Sequence, residues 1–274
     1  MKKILFIQFT LLLLAACNGN KEDTSSDKTS VNTDSLLAQQ EIRKIENDIS
    51  QNPDSIGLRL KLVYALDSIN NHKEALAQID SLVQKDKSNY GLWFTRGQVA
   101  ENAGDTLTAL ESYATAAKIY ESPDALLSLA NLYAETKNER AITICSRVKA
   151  LGQGRETDAD CDFVAGIYYA RTGNADAAIT FFNKCISENY TYMEAYIEKG
   201  MVYFDKKDYA HALEVFNFAS TVDNMYADAA YYQARCYEMM NKKDSAILKF
   251  NQSLALDKNL KEAREGLERL NAGN

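Results

Sequence analysis

Apolar residues recur along this chain with one long period and several short ones. Alanine returns at Ala75, Ala109, Ala141, Ala178, Ala212 and Ala246, at intervals of 34, 32, 37, 34 and 34 residues. Each is followed at once by Leu or Ile: Leu76, Leu110, Ile142, Ile179, Leu213 and Ile247. Four residues on stand Ile79, Tyr113, Cys145, Phe182, Phe216 and Phe250, and seven on stand Leu82, Ala116, Val148, Cys185, Ala219 and Ser253. Offsets of four and seven share one helical face, and the extra Leu or Ile widens it enough to pack on two neighbours. Upstream of the alanines lie a small residue (Gly97, Ala130, Gly166, Gly200, Ala234) and a tyrosine (Tyr133, Tyr169, Tyr203, Tyr237). These two columns predict a second helix ahead of the first. Self-similarity at such a period is the mark of stacked helical units.

Polar breaks separate the two helices of each unit: Asn70-Asn71, Gly104-Asp105, Gly173-Asn174 and Asn241-Lys242. Gly and Asn tolerate the left-handed backbone that ends a helix. Asp105 and Asp208 are placed to cap the helix that follows. Each unit therefore reads helix A, tight turn, helix B. A glycine or alanine on A facing alanine on B lets the axes approach, and the tyrosine and phenylalanine columns fill the wedge that remains.

These columns resemble the tetratricopeptide repeat (TPR), whose pattern is seen best in Tyr196, Gly200, Tyr203, Ala212, Phe216 and Ala219. The resemblance implies an all-α fold, a right-handed α-solenoid of stacked hairpins with capping helices. Six units fall at 56–89, 90–122, 123–158, 159–192, 193–226 and 227–260. No unit has the family's terminal proline, Arg59 and Asp162 stand at aromatic positions, and Val63 stands at a small one. The unit at 123 is short in its turn and long near Gly152-Gln153-Gly154. Leu36, Leu37, Ile42, Ile45 and Ile49 predict an N-terminal capping helix over 34–52, and Ala263, Leu267 and Leu270 a polar-backed C-terminal one over 261–274. A stacked array needs such ends for solubility.

The first residues bear on location. Met1-Lys2-Lys3 precedes an apolar run over 4–14, too short to span a bilayer. Leu14-Ala15-Ala16-Cys17 resembles the lipobox of bacterial lipoproteins, which implies a signal peptide over 1–17 and a lipid on Cys17. An ordinary secretory signal is the alternative. Residues 18–33 are polar and read as a disordered tether, reaching on the order of 20–25 Å as a coil. Within it, Lys21-Glu22-Asp23 resembles the surface-export signal of Bacteroidetes lipoproteins, and a merely solvated tether is an equal reading. Asn18 is not the aspartate that favours inner-membrane retention in Gram-negative lipoproteins. The expected site is the outer membrane, on its periplasmic or its surface-exposed side, with the membrane contact made through the Cys17 lipid.

The net charge of −7 becomes −9 once Lys2 and Lys3 leave with the signal. An acidic chain without a basic block speaks against nucleic acid as a partner. His72 and His211 fall near A–B turns and show no partner in the sequence. No metal-ligand spacing, phosphate loop or nucleophile elbow is present, so neither an enzyme, a metal nor a cofactor is expected. Cys145, Cys185 and Cys236 fall at packed positions. Four buried thiols are the default reading, and a disulfide between Cys161 on helix A and Cys185 on helix B of one hairpin is the alternative.

In the TPR family the A helices line a groove, and the resemblance implies which residues face it. The first column holds Leu60, Phe94, Leu127, Phe163, Ile197 and Tyr231, all apolar. One turn on lie Tyr64, Gln98, Asn131, Ile167, Met201 and Arg235, with Arg171, Phe204 and Met239 extending the face. This predicts an apolar groove with a few polar fixing points, suited to a helix or an extended segment. No unit pairs the lysine and asparagine of the family's carboxylate clamp. The expected function is a membrane-anchored adaptor or scaffold, holding proteins during assembly or maintenance of a cell-envelope complex. A ligand- or glycan-capturing envelope lipoprotein is the alternative, which the short turns disfavour.

Overall fold

The computed structural model describes residues 27–272, with side chains from residue 36. Residues 1–17 with Cys17, and Lys21-Glu22-Asp23, lie outside them. Fourteen helices and no strand occur among the described residues. The chain divides into two compact units, Met1–Glu121 and Ser122–Asn274.

The first unit contains α1 (Asp27–Gln51) and two hairpins, α2 (Ile56–Ser68) with α3 (His72–Lys85) and α4 (Tyr90–Asn102) with α5 (Thr106–Ile119). The second contains four hairpins: α6 (Pro123–Glu135) with α7 (Arg140–Ala150), α8 (Arg155–Arg171) with α9 (Ala175–Glu188), α10 (Met193–Asp205) with α11 (Tyr209–Val222), and α12 (Ala227–Met239) with α13 (Lys243–Leu256). The last helix, α14 (Lys261–Ala272), packs on α13. Each unit is a short all-α solenoid of helical hairpins. No helix among the described residues is long and apolar enough to cross a membrane.

Two helices begin earlier than the sequence suggests. α1 starts at Asp27, so residues 27–33 of the expected tether are helical. No glycine or proline stands between Asp27 and Gln51 to stop it. α8 starts at Arg155, directly after Gly154 at φ 102°, where the loop from α7 leaves the chain free to turn into helix.

The hairpin turns share one chemistry. In each of the six, one residue takes the left-handed conformation: Asn70, Gly104, Lys137, Gly173, Lys207 or Asn241. The next amide then reaches back to a carbonyl of helix A, as Asp105 does to Ala100 at 2.8 Å and Asn174 to Tyr169 at 2.9 Å. That is the helix-ending bond of the left-handed cap. Asp105 and Asp208 accept from the amides of Thr108 and His211, as their spacing predicts.

The small column works by contact. A Cβ built on Gly97 or Gly166 would lie 2.5 Å from the ring of Tyr113 or Phe182, and one on Gly200 would enter the ring of Phe216. Ala75, Ala109, Ala141, Ala178, Ala212 and Ala246 are fully buried. The departures from the repeat pattern are accommodated rather than idle. Asp162, at an aromatic position, is buried and meets Lys149 Nζ at 2.8 Å, and Arg59 bonds the Pro53 carbonyl at 3.2 Å.

Candidate functional site

In the first unit, helices α2 and α4 carry Leu60, Tyr64, Phe94 and Gln98. Leu60, Phe94 and Gln98 are half-buried, whereas Tyr64 is exposed, its hydroxyl 3.1 Å from that of Thr95. Tyr64 also borders an open cleft between α1 and α2 that contains Leu37, Glu41, Lys44 and Lys61.

In the second unit, helices α6, α8, α10 and α12 carry the other eleven positions. The first column is largely covered there. Leu127, Ile197 and Tyr231 are buried, and Phe163 is 1% exposed. Tyr192, in the turn before α10, lies on the Phe163 ring at 5.0 Å and donates its hydroxyl to Asp160 at 3.1 Å. Ile167 is buried completely. Phe163 and Ile167 are therefore core and offer no surface, contrary to the sequence expectation. Over Phe163 the cover is Tyr192, from the turn that leads into α10, which position along helix A does not reveal.

What stays partly open is one turn further along. Met201, Phe204 and Arg235 are half-buried and Met239 is exposed. The Arg235 guanidinium lies 5.7 Å above the Phe204 ring, donates to the Tyr231 hydroxyl at 3.1 Å and pairs with Glu238 at 3.1 Å. Arg269 from α14 meets the same carboxylate at 3.2 Å. On α6, the Asn131 side-chain oxygen is buried with no hydrogen-bond partner. The face is thus amphipathic rather than an apolar ladder.

Arg171 is the polar centre of this face. Its Nε and Nη2 donate to Glu135 at 2.8 and 3.1 Å, and its Nη1 and Nη2 to Glu198 at 3.2 and 3.3 Å. One guanidinium therefore joins α6, α8 and α10. Burial opposes its charge, but Glu198 and Glu135 hold it protonated, above the ordinary arginine range. For Glu198 the balance differs: burial pushes its carboxyl up, and the pull of Arg171 offsets this only in part. Glu135 and Glu198 were missed by sequence reasoning because they lie 36 and 27 residues from Arg171.

Asp160 carries a cost. Burial, with Glu156 and Asp124 nearby, pushes its carboxyl up to about 6 against the hydrogen bond from Tyr192. A carboxyl whose folded pKa exceeds its unfolded value binds protons more tightly when folded, so stability falls as pH rises from about 4 to about 6 and stays lower above. Asp160→Asn keeps an oxygen for the Tyr192 hydroxyl and removes the charge. Urea unfolding should show it more stable than wild type by roughly 1–2 kcal/mol at pH 8 and equal to it at pH 4.

The histidines resolve differently from expectation, and the cysteines do not. His72 Nδ1 lies 2.8 Å from Asp67, which also accepts from Asn102 at 2.7 Å, and His211 Nδ1 lies 2.7 Å from Asp208. Both histidines are partnered: Asp67 stands at the end of α2, across the left-handed turn from His72, and Asp208 is the N-cap of α11, three residues before His211. Cys145, Cys161, Cys185 and Cys236 are all buried free thiols. No disulfide joins Cys161 to Cys185 in the structure.

The comparisons with known proteins agree with this architecture. Family models of the tetratricopeptide repeat match residues 60–122, 197–261 and 163–192, together more than half of the chain. The chain belongs to the tetratricopeptide-repeat family. No curated protein matches it. Among solved structures, a tetratricopeptide repeat protein from Parabacteroides merdae ATCC 43184 is similar at TM-score 0.70 and 19% identity, over 89% of this chain and 96% of that one. PilW, a type IV pilus biogenesis factor, is similar at TM-score 0.61 and 15% identity, over 77% of this chain and 97% of PilW. Yeast Tom70 is similar at TM-score 0.57 and 15% identity, over 86% of this chain and 58% of Tom70. At these identities the likeness is one of fold. Tetratricopeptide repeats bind protein partners, and proteins of this fold are in general scaffolds rather than enzymes.

Proposed function

We propose that this chain is a lipid-anchored adaptor that holds a protein partner of the cell envelope on the A-helix face of its second unit. The observation that carries the reading is the pairing on α10 and α12 of apolar side chains, half-buried Phe204 and exposed Met239, with a guanidinium–carboxylate pair already in place. Preset charges beside apolar surface give a partner segment both area and orientation without ordering costs at the moment of binding. The lipobox-like Leu14-Ala15-Ala16-Cys17 supports the anchor, and the polar segment after it supports a chain held close to an outer membrane. PilW, similar in fold, is a pilus biogenesis factor, which is in keeping with an assembly role.

In-cell photocrosslinking tests the reading. A photoreactive residue at Phe204 or Met239 should capture one dominant envelope protein. The same residue at Leu248 or Lys184, on the B helices, should not. Equal capture from both sets would refute an A-helix site. Cys17→Ser should move the chain from the membrane to the soluble fraction.

A further inference from the structure

The A-helix face of the second unit carries two ion clusters of opposite balance. On the α8 side, the single guanidinium of Arg171 serves two carboxylates, Glu135 at 2.8 Å and Glu198 at 3.2 Å. Asp205, seven residues after Glu198, lies on the same side of α10 and is exposed. Its neighbour Lys206 is turned to Asp176 at 3.5 Å. On the α14 side the ratio is inverted. The single carboxylate of Glu238 serves two guanidiniums, Arg235 at 3.1 Å and Arg269 at 3.2 Å. Glu238 is 18% exposed, against 32% for Arg235 and 49% for Arg269, so the group that meets solvent there is guanidinium. Helix α10 joins the two clusters: it carries Glu198, Met201 and Phe204 at steps of three residues, and Arg235 lies over the Phe204 ring.

We infer that this face selects a partner segment with a cationic side chain toward one end and an anionic one toward the other. The cation lies over Glu135, Glu198 and Asp205, and the anion over Arg235 and Arg269. The apolar side chains of the segment rest between them, on Met201, Phe204 and Met239. The inference rests on the A-helix site proposed above and adds to it the charge order and the direction of the occupant.

Charge complementarity carries the argument. A guanidinium between two carboxylates leaves one negative charge unmatched, and a carboxylate between two guanidiniums leaves one positive charge unmatched. A partner charge of the missing sign completes each cluster, and one of the wrong sign is repelled. A uniformly acidic segment is therefore opposed on the α8 side, and a uniformly basic one on the α14 side. The net charge of −7 would by itself favour a uniformly basic partner, and Arg235 and Arg269 work against one.

The test measures binding of three synthetic amphipathic peptides to the full chain carrying Cys17→Ser, by fluorescence polarisation. The peptides share one apolar stripe. The first has lysines at one end and glutamates at the other, the second lysines at both ends, the third glutamates at both. The mixed peptide should bind about tenfold more tightly than either of the others. Asp205→Asn and Arg269→Gln, both at exposed side chains, should keep the wild-type melting temperature and weaken the mixed peptide by about two- to fivefold each. Asp205→Asn should spare the all-glutamate peptide, and Arg269→Gln the all-lysine one. A carbodiimide, which joins an amine to a carboxylate without a spacer, should link the mixed peptide's lysine to Glu135 or Asp205. Equal binding of the three peptides, tightest binding by a single-sign peptide, or no binding by any would overturn the inference. Photocrosslinking from Phe204 reads the underlying site separately. Capture there with no preference among the peptides leaves the A-helix site standing and removes the charge order, whereas loss of capture there removes both.

Discussion

Phe216→Ala will destabilise the second unit by about 3–5 kcal/mol, the largest loss expected from any single change in this chain. Phe216 is fully buried on α11. Its ring fills the space that Gly200 leaves on α10 and stacks on Tyr232 of α12 at 5.2 Å. Its removal opens a cavity against three helices, which cannot all move in to fill it. The partner change is informative in the other direction. Gly200→Ala gains about 1 kcal/mol of helix propensity but drives a methyl group into a ring with nowhere to go. Its net effect should be a loss of roughly 1–2 kcal/mol. In a Phe216→Leu background the same methyl has room, so Gly200→Ala should cost less there. A double-mutant cycle by urea unfolding reads this coupling. Additive costs would mean that the ring does not rest on the glycine.

Arg171→Met is the second large effect. The substitution keeps much of the side-chain packing and removes the charge that serves two carboxylates on two other helices. Glu198, with its side chain only 19% exposed, is left without its counter-ion. Breaking such a pair from one side costs about 3–5 kcal/mol in a full interior, and the partial exposure here brings the expectation to roughly 2–3 kcal/mol at pH 7. The sign with pH follows. Once Arg171 is gone, Glu198 relieves its cost by taking up a proton, so the deficit should shrink as pH falls toward 4.5. Arg171→Lys should fall between, because an ammonium cannot make paired bonds to both carboxylates at once. A deficit that stays constant with pH would show that the arginine acts by packing alone.

The repeat was legible because it rests on residue types with few substitutes. A Cβ would collide with the ring under which each glycine lies, Tyr113, Phe182 or Phe216, so Gly97, Gly166 and Gly200 mark the register in the sequence itself. The caps at Asp105 and Asp208 could be read for the same reason, since few side chains reach the third amide of a helix. Two turns were not legible. Lys137 and Lys207 adopt the left-handed backbone at φ 60° and 62° although lysine has no preference for it. There the stacking of A on B imposes a conformation that costs the local chain on the order of 1–2 kcal/mol.

The sequence placed the candidate positions on the A helices but did not reveal what covers or pairs with them. Position along helix A identifies the residues that face away from helix B. It does not say whether another element covers them. Phe163 was lost from the face because Tyr192, 29 positions later, lies over it. Arg171 appeared free to meet a partner because Glu135 and Glu198 are remote in sequence. Both failures have one origin: the contacts join residues 27 to 36 positions apart, and a column read along helix A holds no record of them. The partner of His72 went unread for a related reason, since Asp67 lies across a turn whose path the sequence leaves open.

The most direct test of the central claim is the affinity of the captured envelope protein for the purified chain and for two variants. Met239→Glu places a charge on the exposed edge of the α10–α12 face, and Leu248→Glu does the same on a B helix. Both side chains are exposed, so both variants should melt like wild type. The account predicts that Met239→Glu raises Kd by about tenfold or more, about 1.4 kcal/mol, while Leu248→Glu leaves it unchanged. An unchanged Kd for Met239→Glu, or a matching loss for Leu248→Glu, would contradict it.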